Sequence, residues 1–402
     1  LDRLARVLES IGRRESYLAL LLEYPAALQR LAAIVAASPW ATDYLASHPI
    51  LLDELISDNG AGAPDWQALA ARLQTDLDGA DSVEQQMDVL RHFKQVHTLR
   101  LLSRDLAGTL PLETLSDHLS DLACLILSQV LRLAWAGLRQ RHRDEPRFAV
   151  IGYGKLGGKE LGYASDLDII FLHDDDHPDA TENYARLSQR INTWLTSFTS
   201  AGVLYETDLR LRPDGASGLL VSRFVAYQEY QRSKAWTWEH QALTRARFVA
   251  GDAQIGARFE QLRIDILRLP RAVQTLCAEV TAMRARMLDG HPNRSQLFDL
   301  KHDRGGIVDV EFIVQFLVLA QAHAHAELTG NIGNLALLRL AGKLGLIDAA
   351  LAERVHHSYR EFRRIQHSLR LQGERYARME RDEAASLVAP VLQLWEAVFG
   401  AA

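Results

Sequence analysis

Helical periodicity dominates both ends of the chain. In residues 1–106 a capping-box signal at Ser82-Val-Glu-Gln85 precedes apolar residues at spacings of three and four: Val89, Phe93, Val96 and Leu99. Residues 255–402 have helical patterns again, and 307–324 is strongly apolar. These patterns predict an N-terminal helical region over 1–106 and a C-terminal helical bundle over 255–402.

The middle part, 107–254, opens with a helical pattern over 116–141 and then alternates strands with helices. Residues 167–172 are rich in Leu, Ile and Phe, which predicts a buried strand. Residues 204–213 alternate polar and apolar positions, which predicts a second strand. The sequence therefore predicts an α+β protein that is mostly helical.

Three acidic residues occupy these two strand patterns. Side chains alternate in direction along a strand, so Asp166 and Asp168 point to the same side, and Asp208 shares a face with Arg210 and Arg212. Two neighbouring carboxylates repel each other unless a cation lies between them, and oxygen ligands suit Mg²⁺. A third carboxylate would complete a two-metal site for displacement at phosphorus, with the arginines neutralising a triphosphate. The alternative is a solvated Asp-x-Asp at a strand edge.

A glycine-rich turn precedes the acids. Gly157 and Gly158 allow a phosphate to approach the backbone, whose N–H groups could donate to it, and Lys155 and Lys159 add positive charge. The segment Gly152-Tyr-Gly-Lys-Leu-Gly157 also matches the G-x-G-x-x-G of a dinucleotide-binding site. That interpretation needs a helix after the glycines, whereas an apolar strand with two acids begins within ten residues of Gly157.

Composition narrows the class of protein. The chain has 402 residues, 48% of them hydrophobic and 24% charged, and its formal net charge of −6 argues against general binding to nucleic acid. Its two cysteines, Cys124 and Cys277, lie far apart, so a disulfide framework or a cysteine-based zinc site is not expected. The chain lacks a run of 18 apolar residues and a signal-peptide pattern, so we expect a cytoplasmic protein without a membrane partner. It begins with Leu1, as a fragment of a longer polypeptide would.

Four motifs together resemble one known family. The glycine turn followed by Asp166, Asp168 and a later Asp208 is similar to the DNA polymerase β-like nucleotidyltransferases. The sequence resembles glutamine synthetase adenylyltransferase more closely still, from about residue 35 to the end. Four segments carry this resemblance: 152–168, Asp208-Leu-Arg-Leu-Arg-Pro-Asp-Gly-Ala-Ser-Gly-Leu-Leu220, Trp238-Glu-His-Gln-Ala-Leu-Thr-Arg-Ala-Arg247 and Gly305-Gly-Ile-Val-Asp-Val-Glu-Phe312.

The resemblance implies a small mixed sheet flanked by helices and a reaction with ATP and Mg²⁺. The implied metal ligands and catalytic residues are Asp166, Asp168 and Asp208, with Asp208 the candidate acceptor of the tyrosine proton, and the implied nucleotide contacts are Gly157, Gly158, Ser165, Lys155, Arg210 and Arg212. Members of this family have two transferase halves. The C-terminal half attaches AMP to a tyrosine of glutamine synthetase, and the N-terminal half removes it by phosphorolysis.

The chain resembles the C-terminal, adenylylating half in three motifs: Gly-Tyr-Gly-Lys-Leu-Gly-Gly, Leu161-Gly-Tyr-Ala-Ser-Asp-Leu-Asp168 and Arg210-Leu-Arg-Pro-Asp-Gly-Ala-Ser-Gly218. The adenylyl-removing reaction, uridylyl transfer to a PII-type nitrogen signal protein, and a degenerate fold that serves as a regulatory binding module remain alternatives. The regulator of this half, glutamine or a PII-type protein, stays open.

Several other polar and aromatic residues have two interpretations. Asp309 and Glu311 either face the nucleotide or favour the start of a helix through its dipole, and Lys301 and Arg304 either contact phosphates or are solvated. A basic stripe on a C-terminal helix is either a solvated or salt-bridged face or a partner site: Arg360, Arg363, Arg364, His367 and Arg370. Tyr227, Trp236 and Trp238 are expected to pack inside the protein, or one of them to stack on adenine.

Overall fold

The computed structural model describes residues 2–12, 15–52 and 63–400. Helices fill its N-terminal part: α1 (Asp2–Ile11), α2 (Glu15–Glu23), α3 (Pro25–Ala37), α4 (Pro39–Ser47), a 3₁₀ turn (Pro49–Leu51), α5 (Trp66–Asp78), α6 (Val83–Leu106) and α7 (Leu112–Ala136). Ser82 caps α6 by accepting from the Gln85 amide at 3.2 Å, while the Gln85 side chain accepts from the Asp81 amide at 2.7 Å. The capping signal therefore marks the start of the helix correctly.

A small mixed sheet follows. Its strands are β1 (Phe148–Gly152), β2 (Leu167–His173), β3 (Thr207–Asp208), β4 (Val221–Arg223) and β5 (Arg247–Gly251). β2 and β5 flank β1 antiparallel, while β3 and β4 pair with β2 in parallel, one after the other along the same edge. The helices between them are α8 (Gly154–Gly157), α9 (Ala180–Thr196), α10 (Phe224–Ser233) and α11 (Thr237–Leu243). The prediction of a mostly helical α+β protein with a small mixed sheet is confirmed.

Both faces of the sheet are buried, which explains why β1 and β2 are apolar at nearly every position. On one face Phe148, Val150 and Phe171 pack in a core that includes α7 and α9. On the other face Ala149 and Ile151 join the core of the C-terminal helices. A third core lies among α1 to α4 and also takes in Leu99 and Leu102 of α6.

The remaining helices and strands of the described chain are α12 (Ala253–Leu267), α13 (Val273–Gly290), β6 (Phe298–Asp299), α14 (Ile307–Gln321), α15 (Gly333–Lys343), α16 (Ala349–Leu371), β7 (Arg378–Met379) and α17 (Arg381–Phe399). Two further 3₁₀ turns are Gly215–Ser217 and Ala326–Thr329. The domain boundaries at 106 and 254 remain predictions. Among the described residues α7 alone is long and apolar enough to cross a membrane by length and composition, and most of that apolar stretch is buried against the rest of the protein.

Candidate active site

Strand pairing brings Asp168 and Asp208 side by side. β2 and β3 run parallel with Leu167 opposite Thr207 and Asp168 opposite Asp208. Asp166 lies two positions before Asp168, so strand alternation sends both side chains to one side. Asp166, just before β2, and Asp208 both act electrostatically on Asp168, so the three carboxylates lie near one another.

The carboxylates affect one another electrostatically. Burial raises the pKa of Asp168 to about 6, with further contributions from the charges of Asp166 and Asp208, although Arg245 and Lys155 oppose the rise. In the described part of the chain no hydrogen bond or ion pair engages the side chain of Asp166 or Asp168. Gly154, with φ +53°, leaves room for Asp168, because a Cβ there would lie 2.1 Å from Oδ2. Asp168 thus lies among negative charges without a bonded donor.

Asp208 is held differently. Both of its oxygens accept from the Arg210 guanidinium at 2.5–3.0 Å, and Oδ1 also accepts from the Arg210 backbone N–H at 2.9 Å. The hydrogen bonds from Arg210 hold the pKa of Asp208 below its usual value. Because the side chain binds the amide two residues on, the chain turns here. Of the strand predicted over 204–213, only Thr207 and Asp208 lie in a strand, so the prediction is wrong before Thr207 and after Asp208.

The turn also redirects Arg212. Its guanidinium donates to the carbonyl oxygens of Leu209 (2.6 Å), Ala216 (3.0 Å) and Gly218 (3.2 Å). Arg212 thus braces the loop after β3, and the predicted common face with Asp208 and Arg210 is wrong. A nucleotide contact by Arg212 remains a prediction.

The three acids fit Mg²⁺ in chemistry. They supply carboxylate oxygens, which this ion prefers, and the mutual repulsion at Asp168 is what a cation would relieve. As the side chains stand, the described residues contain no group of three or more His, Cys, Asp or Glu arranged to hold a metal.

The glycine turn is built as a single helical turn, α8, between β1 and the acids. The N–H groups of Gly157 and Gly158 donate to Tyr153 O (2.8 Å) and Gly154 O (3.0 Å). The prediction that these N–H groups are available to a phosphate is therefore wrong. A Cβ on Gly157 would lie 2.0 Å from Arg245 O, and one on Gly158 would lie 2.8 Å from Arg245 Nε. Packing against Arg245 accounts for both glycines, and their contact with a nucleotide remains a prediction.

The dinucleotide interpretation does not match this topology. A dinucleotide fingerprint belongs to a parallel strand–helix–strand unit. Here β1 and β2 are antiparallel neighbours, with Gly152 opposite Ile169. The sequence match to G-x-G-x-x-G is therefore coincidental.

Lys155 is the cation of the turn that faces the acids. Burial lowers its pKa to about 8, helped by Arg363 and Lys301, while Glu311 and Asp166 oppose the change. Lys159 instead points to Asp121 of α7, with 3.8 Å between Nζ and Oδ1. The Ser165 hydroxyl accepts from the Gly162 amide at 3.0 Å and closes the turn before Asp166. Nucleotide contacts by Lys155 and Ser165 remain predictions.

Glu160, directly after the turn, is the centre of a buried polar network. Its carboxylate pairs with Arg245 (2.6 Å) and Arg363 (3.1 Å) and accepts from the Asn334 amide (3.0 Å) and the Tyr359 hydroxyl (2.9 Å). Burial would raise the pKa of Glu160, but Arg245 and Arg363 outweigh it and hold the pKa below its usual value. The network ties the glycine turn to α15 and α16.

Four residues around the start of α14 have two interpretations from the sequence, and their contacts in the structure differ. Glu311 pairs with Arg245 at 2.5 Å and influences Lys155, so it faces the turn. Asp309 is buried, pairs with Arg284 at 2.5 Å and accepts from the Gly305 amide at 2.6 Å, so it stabilises the helix start. Arg304 lies over the Trp395 ring. Lys301 is exposed and acts electrostatically on Lys155.

The basic stripe on α16 is mostly paired within the protein. Arg360 binds Glu113 and Arg364 binds Glu361, both at 2.8 Å, while Arg363 and His367 are buried. The salt-bridged interpretation holds for Arg360, Arg363 and Arg364. The prediction that these aromatic residues pack inside the protein is correct for Tyr227, which is buried, and wrong for Trp236, which is 68% exposed.

Sequence reasoning missed the polar and charged residues that support the turn: Glu160, Arg245, Asn334 and Tyr359. Glu160 and Arg245 lie inside two of the four family motifs. The sequence signal for them was a charged residue close to Gly-Gly or among apolar residues. Asn334 and Tyr359 gave no local signal, because helical patterns do not reveal which polar side chain faces a buried acid.

Comparisons with known proteins agree with the motifs. Residues 28–262 match the family model of glutamate-ammonia ligase adenylyltransferase, and residues 278–394 match that of GlnD PII-uridylyltransferase. Relatives named bifunctional glutamine synthetase adenylyltransferase/adenylyl-removing enzyme occur in Nitrosomonas eutropha (56% identity) and Aromatoleum aromaticum (58% identity). Both alignments cover 100% of this chain but only 45% and 43% of the relatives, so the chain spans less than half their length. The chain therefore belongs to the glutamate-ammonia ligase adenylyltransferase family.

Proposed function

We propose that this chain transfers AMP from ATP to a tyrosine hydroxyl of glutamine synthetase, with Mg²⁺ as cofactor, and releases pyrophosphate. The observation that carries the proposal is the pairing of Asp168 with Asp208 on parallel strands, with Asp166 two residues from Asp168. The names of the relatives support the same chemistry, since they describe an adenylyltransferase that acts on glutamine synthetase. We infer that the sheet and its flanking helices form a polymerase β-like nucleotidyltransferase domain.

Asp166, Asp168 and Asp208 would hold Mg²⁺. When bound, the ion would neutralise charge on the phosphate oxygens and favour ionisation of the tyrosine hydroxyl, whose ordinary pKa is about 10. Lys155 lies beside Asp166 and supplies a cation to the triphosphate. The Arg245–Glu160 pair fixes the turn from which Lys155 projects.

Arg210 has a second role in this proposal. Its guanidinium is 78% exposed while it binds Asp208, so it is free to move without disturbing a core. A triphosphate offers more negative charge than one carboxylate and draws Arg210 away from Asp208. The Asp208 oxygens then become available to the cation. In this arrangement the hydrogen bonds from Arg210 lower the pKa of Asp208, so Asp208 is a weaker proton acceptor than a free aspartate.

In the reaction the tyrosine oxygen forms a bond to the α-phosphorus while the bond from that phosphorus to the bridging oxygen of pyrophosphate breaks. The tyrosine proton passes to a carboxylate of the site or to water. Positioning and charge stabilisation supply the catalysis, as in other phosphoryl and nucleotidyl transfers.

We infer adenylylation, and not removal of AMP, from the sequences of two motifs, 161–168 and 210–218, which resemble the adenylylating half of the family. The relatives' names include the adenylyl-removing activity, which makes phosphorolysis the second candidate. The match of residues 278–394 to a PII-uridylyltransferase model supports a PII-type nitrogen signal protein as a further partner. We place the reaction in the cytoplasm.

A two-armed assay tests the proposal. In the first arm the chain is incubated with α-labelled ATP, Mg²⁺ and glutamine synthetase, and in the second with AMP-modified synthetase and phosphate. Label on the synthetase, lost in Asp168→Asn, supports adenylylation. Release of ADP in the second arm alone supports removal, and no reaction in either arm overturns the proposal in favour of a binding module.

A further inference from the structure

The strand that carries Asp208 is too short to hold itself in place. β3 consists of two residues at an edge of the sheet, and a single short strand is marginal without outside support. Its hydrogen bond to β2 runs from the Leu167 amide to Glu206 O at 2.9 Å. The segment before it, 197–205, connects the end of α9 to β3 and therefore determines where Asp208 lies.

Arg91 of α6 binds this segment from the N-terminal helical region. Its Nε donates to Gly202 O at 2.7 Å, and Nη2 donates to Ser197 O at 2.6 Å and Trp194 O at 3.1 Å. Trp194 belongs to the last turn of α9, where carbonyl oxygens lack partners within the helix. Arg91 is fully buried, so water cannot replace these bonds.

Three neighbours of Arg91 bind the same segment. Asp88 accepts from Thr199 Oγ1 (2.6 Å) and Ser200 Oγ (3.0 Å). Gln95 donates to Ala201 O at 2.8 Å, and Lys94 donates to Leu204 O at 2.5 Å. We call these four residues, Asp88, Arg91, Lys94 and Gln95, the α6 clamp.

The clamp grips both sides of a tight turn. Thr199 and Gly202 exchange backbone hydrogen bonds of 3.1 and 2.9 Å around Ser200 and Ala201, and Gly202 has φ +90°. Gly202 lies six positions before Asp208. The carbonyl of Gly202 is held by the planar fork of Arg91, which also fixes the end of α9, so the turn cannot shift without breaking several buried bonds.

We propose that Arg91, with the rest of the α6 clamp, is a positioning residue for Asp208 and so for the metal ligands of the transfer reaction. This inference rests on the proposed function. Arg91 does not reach the nucleotide or the acids. It acts by fixing the segment that leads into β3, and displacement of a reacting group by about 1 Å is enough to lower a rate about 100-fold.

The test compares Arg91→Lys with Arg271→Lys. Lysine keeps the charge but lacks the fork that serves several carbonyls. Arg271 is the matched control, because it also donates to carbonyls at the end of a helix, Ile266 O (2.8 Å) and Leu267 O (3.2 Å), without contacting the segment before β3. Three quantities are measured for each variant. They are kcat and KM for ATP, the rate of amide hydrogen exchange in residues 197–210, and the Mg²⁺ concentration that gives half of the maximal rise in melting temperature in the presence of ATP.

For Arg91→Lys we expect kcat to fall about 10- to 100-fold with the KM for ATP within threefold. We also expect faster exchange over 197–210 and a Mg²⁺ requirement raised at least fivefold. Arg271→Lys should change none of these. Equal kcat and equal Mg²⁺ response in the two variants would overturn the inference, whatever their melting temperatures.

A milder variant covers the case in which Arg91→Lys does not fold. Asp88→Ala removes two hydroxyl bonds at the rim of the clamp and should act in the same direction, by about two- to fivefold in kcat. Absence of AMP transfer in the wild-type chain would reject the proposed function. The exchange and Mg²⁺ measurements would then still decide whether the clamp positions Asp208.

Discussion

At the scale of single residues, Asp208 and Arg210 form a self-contained pair. The arginine neutralises the carboxylate, and the backbone bond between them starts the turn after β3. An exposed ion pair of this kind contributes little to folding stability. The function of the pair therefore depends on what replaces Arg210 when nucleotide binds.

The first prediction concerns this carboxylate. Asp208→Asn should lower the rate of AMP transfer roughly 30- to 1000-fold, the scale expected when one charged group that acts in the transition state is lost. The KM for ATP should change only a few-fold, because Lys155 is unaltered. Steady-state kinetics with α-labelled ATP and glutamine synthetase measure both quantities.

Asp214 supplies the control. It has φ +60°, a left-handed conformation that asparagine adopts as readily as aspartate, and its residue is exposed. Asp214→Asn should leave the rate nearly unchanged. If this variant abolishes transfer while Asp208→Asn keeps it, the wrong carboxylate has been assigned.

A second prediction concerns the space that Gly154 leaves beside Asp168. Gly154→Ala would place a Cβ 2.1 Å from Asp168 Oδ2 and force that carboxylate to move. Gly108→Ala is the matched control, since Gly108 has φ +68° and nothing within 4 Å of the added carbon. Both substitutions should cost about 1–2 kcal/mol for the left-handed backbone, but only Gly154→Ala should lose AMP transfer. Urea unfolding and the transfer assay together check this.

At the scale of elements, the end of β2 is fixed by a second buried acid. Asp175, two residues past the strand, accepts from His142 Nε2 (2.8 Å), the Tyr184 hydroxyl (2.7 Å) and the His177 amide (3.1 Å). Burial alone would raise its pKa, yet these donors, with Arg143, hold the pKa of Asp175 well below its ordinary value. The cluster joins β2, the loop before β1 and α9.

The third prediction follows from the sign of that shift. An acid whose pKa is lowered by folding stabilises the folded state above its unfolded pKa of about 4, and this stabilisation is lost as the pH falls towards the folded value. Asp175→Asn should therefore be less stable than wild type by about 1–3 kcal/mol at pH 7 and pH 5. The difference should shrink below about pH 4. A constant difference down to pH 3 in urea unfolding would contradict the assignment.

Which elements the sequence could predict depends on how local their causes are. β2 is predictable because its apolar run is buried on both faces, and α6 because Ser82 marks its start. The end of β3 is not, because alternation in 204–213 continues past Asp208 while the Asp208 side chain has already turned the backbone. The side chains of the α6 clamp resemble an ordinary solvated helix face until the segment 194–204 is placed against them.

At the scale of the whole molecule, the three acids repel one another in the absence of a cation. The fourth prediction is that millimolar Mg²⁺ with ATP raises the melting temperature, because a ligand that binds only the folded state stabilises it by mass action. Asp168→Asn should reduce the shift, and Asp179→Asn, an exposed acid with a side chain 70% accessible, should not. An equal shift in all three proteins would place the cation elsewhere.

The support of the glycine turn illustrates what local patterns cannot reveal. Glu160 is bonded to Arg245, 85 positions later, and to Arg363, 203 positions later. Helical periodicity predicts that Arg363 lies on α16, but which residues of the basic stripe on that helix turn inward depends on tertiary packing. The three acids could be predicted from the sequence because they lie in recognisable motifs. The residues that support the glycine turn are spread over the chain and could not.

The Glu160 network also has a consequence for biosynthesis. A ribosome releases Glu160 and the three acids long before Asn334, Tyr359 and Arg363, and contacts so distant in sequence form late. Until α16 has emerged, Glu160, the buried acid after the glycine turn, lacks its partners Tyr359 and Arg363. A product of interrupted translation that ends before Arg363 would be a substrate for proteases and not a partly active enzyme.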